Sequence, residues 1–132
     1  MSKRYFTLEE AKQLLPWINQ ILENLDVKII ETKLLSEEIN DLKNKLLTNG
    51  RNVVEDKLDK ASRKLKEESS LMEDKVGEVE KLGVLVKQIS PILIDFPHLI
   101  EGREIYLCWQ EGEEDILYWH EISDGFNGRQ QL

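Results

Sequence analysis

The sequence holds a single cysteine, Cys108, which excludes an internal disulfide and suits a reducing compartment. No apolar run approaches membrane-spanning length, and the opening residues 1–6 lack the apolar core of a signal peptide. A cytoplasmic protein away from the membrane is therefore expected. Basic residues run out towards the end. Beyond residue 89 only Arg103 and Arg129 stand against nine acids. So acidic a segment repels phosphate backbones, and nucleic-acid binding is not expected of it. Paired metal-ligand spacings such as Cys-x-x-Cys or His-x-x-x-His are also missing.

What is present suits one α+β domain over residues 1–132, with a helical hairpin over 7–82 and a small β module over 84–132. Of the 132 residues 40% are hydrophobic and 33% charged, with a net charge of −8. Thr7 and Glu10 are spaced as a capping box, each side chain reaching the other's backbone N–H. From there Leu15, Ile18, Leu22, Leu25, Ile29, Thr32, Ser36, Ile39, Lys43 and Leu46 recur three and four apart, a heptad seam weakened in its middle. Pro16 removes one helical hydrogen bond and predicts a kink there. Asn49 and Gly50 end the period and predict the turn. A second seam follows through Val54, Leu58, Ala61, Leu65, Glu68, Met72, Lys75, Val79 and Leu82. Gly83 stops it, Val84 to Gln88 reads as a strand, and Pro91 to Phe96 as another that closes at Asp95–Pro97.

At about 1.5 Å per residue the first helix outruns the second. The overhang around Pro16 is expected to cover the β module, with Trp17 as a core anchor beside Trp109 and Trp119. The expected fold is thus a long antiparallel, coiled-coil-like hairpin packed on a small antiparallel sheet at the C-terminal end.

Residues 104–121 carry most of the chemistry-bearing side chains and read as a β-hairpin around a charged glycine turn. A three- or five-residue loop would set Ile105, Leu107 and Trp109 beside Leu117 and Trp119. A two- or four-residue loop would set them beside Ile116, Tyr118 and His120. The first gives the more apolar face and is expected, which gathers Tyr106, Cys108, Tyr118 and His120 on the other.

Residues 4–11 with Leu14 to Pro16, then Asp95 to Pro97, Leu107 to Trp109, Gly112–Glu113, Trp119 to Glu121 and Gly125 to Gln130 resemble a family of small prokaryotic proteins. That family is catalogued as domain of unknown function 2203. The resemblance covers both ends of the chain and implies a complete family member. It carries over no activity, cofactor or catalytic residue.

Cys108, His120 and Glu121, with Asp95 or Asp124, offer a zinc-like donor set. The alternative is a buried small apolar thiol and a hydrogen-bonded strand histidine, and no tightly held zinc or other cofactor is expected. Cys108 with His120 as its base is a weaker nucleophile reading, because burial raises a thiol pKa. Glu113 is expected to pair with Arg103 or Arg129, and residues 125–129 resemble an anion-binding nest or else a tail pinned by Phe126 and Arg129. Leu14, Ile21, Leu35 and Leu42 form a stripe beside the first seam. Ile30, Leu34, Val53, Leu71 and Val76 also fall outside both seams. That surplus predicts a homodimer, or docking of another protein, along the helices. The leading expectation is a non-enzymatic scaffold that self-associates through its hairpin. The alternative is a small enzyme or a ligand- or metal-binding protein with its site on the acidic β module.

Overall fold

The computed structural model describes residues 3–48 and 52–132. Among the described residues three α-helices precede an antiparallel sheet: α1 (Leu8–Leu22), α2 (Leu25–Thr48) and α3 (Asn52–Glu80), then β1 (Leu85–Ile89), β2 (Ile92–Ile100), β3 (Arg103–Gln110), β4 (Tyr118–Glu121) and β5 (Gln130–Gln131). The class is α+β. The five strands are ordered as they occur in the sequence. The expected turn at Asn49 and Gly50 lies outside the described residues.

The chain divides into two compact units, Asn24–Asp74, and Met1–Glu23 with Lys75–Leu132. In the first, α2 and α3 lie antiparallel, as the Lys28–Glu68 ion pair at 2.9 Å and the shared cluster of Ile39, Leu42 and Ala61 require. The α3 seam is the one read from the sequence, and no residue of it from Val54 to Val79 is exposed. The first seam needs correcting. Past Thr32 the inward row is Leu35, Ile39, Leu42 and Leu46, while Ser36 and Lys43 face solvent. Two consecutive steps of three, 29 to 32 to 35, set the stripe back by one residue. Leu35 and Leu42 are therefore spent inside the hairpin rather than offered outside it.

In the second unit the Thr7–Glu10 capping box opens α1, with hydrogen bonds of 3.0 and 2.9 Å. α1 runs on through Pro16, and the helical path is interrupted instead at Glu23 and Asn24, where Asn24 takes φ 66°. Asparagine tolerates that left-handed turn better than other side chains. Ala11, Leu15 and Ile18 are buried on the inner side of α1, which packs on β2. Trp17 falls off that stripe and is 43% exposed, so it is not the expected core anchor. A helix period of 3.6 turns position 17 well away from the row at 11, 15 and 18. α3 ends two residues before the expected Leu82, and Gly83 takes φ 97° just after it. A side chain there would be strained and would press on Arg4.

β2 does not close at Pro97. It continues to Ile100, paired with β3 throughout. In an antiparallel ladder the N–H and C=O of one residue point to the same side. The Pro97 carbonyl accepts the Phe6 N–H at 2.7 Å, so its missing N–H faces the N-terminal segment and costs no bond to β3. The Phe6 carbonyl in turn meets His98 Nδ1. One face of the sheet carries Ile94, Phe96, Ile105, Leu107 and Trp109, all buried, with Phe6 edge-on to Phe96 at 5.5 Å.

Candidate functional site

The other face of the sheet gathers the chemistry. Leu107 pairs with Trp119, Tyr106 with His120 and Cys108 with Tyr118, which is the register expected from apolar matching. The connection between β3 and β4, residues 111–117, is longer than the loops considered, but an odd count keeps the same faces together. Asp95 on β2 lies directly opposite Cys108. Alternation along three neighbouring strands thus sets Asp95, Cys108 and His120 on one surface, each 3% exposed or less.

Their hydrogen bonds limit where the protons can sit. His120 Nδ1 lies 2.8 Å from the Glu121 carbonyl, which can only accept, so Nδ1 carries a proton. Nε2 lies 3.0 Å from Asp95 Oδ1. A hydrogen bond there requires one further proton, on the imidazole or on the carboxyl. Tyr106 stands edge-on to the imidazole at 5.5 Å and steadies the ring.

The Cys108 thiol is pushed up to about 12, by burial first and then by the charge of Asp95 and a hydrogen bond to it. The thiolate that nucleophilic catalysis needs is scarce at neutral pH, which argues against the Cys108–His120 pair as nucleophile and base. Iodoacetamide at pH 8 should leave Cys108 unmodified in the native protein and label it fully in denaturant, as read by intact mass. Because the folded thiol titrates above its ordinary value, the stabilisation it gives is complete below about pH 9 and fades as the pH rises towards 12. The stability difference between wild type and Cys108→Ala should therefore shrink over that alkaline window.

A cavity of about 260 Å³ opens over these groups, lined among others by Lys87, Tyr106, Asp124 and Phe126. Lys87 was not foreseen. It is the extra residue of a bulge where β1 slips register against β2 between Val86 and Gln88, and nothing in the local sequence announces a bulge. Asp124 also lines the cavity. Gly128 packs so tightly under it that an added Cβ would sit 2.6 Å from the Asp124 Cβ.

Glu121 does not join the site. As the neighbour of His120 in β4 its side chain takes the opposite face, where it pairs with Arg103 at 2.6 Å. Glu113 finds Arg129, whose Nη2 meets both carboxylate oxygens at 2.6 and 2.7 Å. The Arg129 guanidinium lies over two rings, 4.1 Å from the centre of Tyr118 and 4.6 Å from that of Phe126. With its charge spent on Glu113, Arg129 pins the C-terminal tail instead of presenting an anion nest. Glu113 also accepts the Gln110 N–H at 2.7 Å and so fixes the end of β3.

The sequence matches the model of an uncharacterised conserved protein family, DUF2203, over residues 4–132. No curated protein and no solved structure matches it significantly.

Proposed function

We propose that this chain, which belongs to the uncharacterised conserved protein family DUF2203, is a ligand-binding protein whose site is the cavity over Asp95, Cys108 and His120. One observation carries the reading. Three buried polar side chains from three strands converge on the floor of a 260 Å³ cavity. Burying such groups is costly unless they are hydrogen-bonded, as these are to one another, and convergent polar groups in a concave site are the usual mark of ligand binding. Lys87 and Asp124 put one charge of each sign near the mouth, which suits a small polar ligand.

The test is a fragment screen by two-dimensional ¹H–¹⁵N spectra, with small polar fragments as probes. Shifts should concentrate on Leu93, Tyr106, Cys108, His120, Ile122 and Gly125. Shifts confined to α2 and α3, or none at millimolar fragment, would overturn the reading.

A second reading rests on the hairpin. Val27, Ile30 and Leu34 follow one another at helical spacing on α2 and are 48%, 60% and 60% exposed. A stripe of that kind favours coiled-coil-like self-association into a homodimer, or a protein partner docked along the helix. Light scattering at micromolar concentration should give twice the chain mass, and Ile30→Lys with Leu34→Lys should return the monomer. A monomeric wild type would leave only the partner form of this reading. Among the described residues no helix is long and apolar enough to cross a membrane. Together with the lone cysteine, that supports a cytoplasmic setting for either reading.

A further inference from the structure

Resting on the cavity as the functional site, we propose that Asp95, Cys108 and His120 are the three protein ligands of a zinc ion whose fourth position faces that cavity. The donor atoms of these three residues all lie within 4.8 Å of one another. Zinc holds sulfur at about 2.3 Å and nitrogen or oxygen at about 2.0–2.2 Å, so tetrahedral donors stand roughly 3.3–3.7 Å apart. The Cys108 sulfur needs to close on the other two donors by no more than about 1.5 Å, and the Nε2–Oδ1 pair at 3.0 Å opens slightly, to match that spacing.

The donor chemistry narrows the ion. A thiolate with an imidazole suits zinc and disfavours magnesium and calcium, which prefer oxygen alone. Three protein donors with an open fourth position is the pattern of ligand-accepting zinc sites rather than closed structural ones. The histidine is already oriented for the task. Its Nδ1 donates to the Glu121 carbonyl at 2.8 Å, which leaves Nε2 as the ligand atom and holds the ring in place. All three donors stand on paired strands, β2, β3 and β4, whose register places Asp95 against Cys108 and His120 against Tyr106, two pairs along the ladder and on the same face.

The absence of a Cys-x-x-Cys or His-x-x-x-His spacing carries no weight against such a site. Those spacings serve ligands drawn from one turn or one helix, whereas these donors are 13 and 12 positions apart and meet only through the sheet. When zinc enters, it takes the position between Nε2 and Oδ1. The proton held there and the Cys108 thiol proton leave to solvent as the Zn–N and Zn–S bonds form. The fourth position is then open to water or to a donor atom of the ligand in the cavity.

The experiment uses untagged full-length protein, stripped with chelator and reloaded with cobalt(II) or zinc(II). One cobalt per chain should produce a thiolate-to-cobalt charge-transfer band in the near ultraviolet and the intense visible bands of a four-coordinate ion. Cys108→Ser should lose the charge-transfer band, and His120→Gln should weaken binding by about 100-fold or more. X-ray absorption of the zinc-loaded wild type, which needs no variant to fold, should show one sulfur with nitrogen and oxygen donors. No cobalt band, a band that survives in Cys108→Ser, or a zinc shell without sulfur would overturn the site. Fragments that bind the cavity of a protein unable to take up metal would sink the zinc ion while leaving the cavity reading intact. Failure of both experiments would remove the two together.

Discussion

Asp95→Ala is expected to cost about 3–5 kcal/mol of stability, among the largest losses from any single truncation in this chain. The carboxylate and its partner His120 are 2% and 3% exposed and lie 3.0 Å apart. Truncating one leaves the other buried without a partner, so the loss includes the desolvation of His120 Nε2 as well as the lost bond. Asp95→Asn keeps an oxygen and an amide in reach of Nε2 and should recover part of the loss. Replacing both residues by apolar ones of similar size should be much milder than Asp95→Ala alone, since neither member of the pair is then left buried without the other. Urea unfolding followed by circular dichroism on the three variants measures this order. If the double replacement proves as costly as Asp95→Ala, the pair is not what makes the position sensitive.

Trp109→Ala should cost a similar amount, about 3–5 kcal/mol, while Trp17→Ala should stay within about 1 kcal/mol of wild type. Trp109 is 5% exposed, shares a face with Ile105 and Leu107, and donates its Nε1–H to the Glu113 carbonyl at 3.1 Å. Its removal leaves both a void and an unmet acceptor. Trp17 is 43% exposed and loses little on truncation. The same urea melts decide the matter, and equal losses at the two positions would contradict the burial seen for both.

These contrasts show where periodicity is informative and where it fails. The capping box, the α3 seam and the face-sharing of β3 with β4 were legible, because each depends on residues near in sequence or on a period of two or 3.6. Trp17 escapes a comparison of helix lengths, because length sets its segment over the sheet and leaves open which way the helix turns each side chain. The switch from Ser36 to Leu35 was hidden because both rows are plausible helical spacings, and only packing against α3 separates them. Pro97 looked like a strand terminator. It continues a strand because its imino nitrogen falls on the side that needs no ladder bond. The site itself was half legible. Its residue types stood out, but the meeting of Asp95 with Cys108 depends on which strands pair, a non-local fact. Glu121 was drawn in by its nearness to His120 in sequence, which in a strand is a reason for it to face away.

The unit that holds the sheet is built from two pieces of chain, Met1–Glu23 and Lys75–Leu132, with the α2–α3 unit inserted between them. That arrangement bears on the order of folding. α1 emerges early in synthesis, yet its apolar side has no sheet to cover until β2 and β3 have been made. The Phe6–His98 bond joins residues 92 positions apart, and closing so long a loop early is entropically unfavourable. The inserted hairpin forms from contacts local in sequence. Once Lys28 has met Glu68, some 40 residues drop out of the effective loop, which lowers the closure cost by roughly 0.5–1 kcal/mol. The helices then act kinetically as a clamp: they shorten the search between the chain's first residues and the sheet those residues complete.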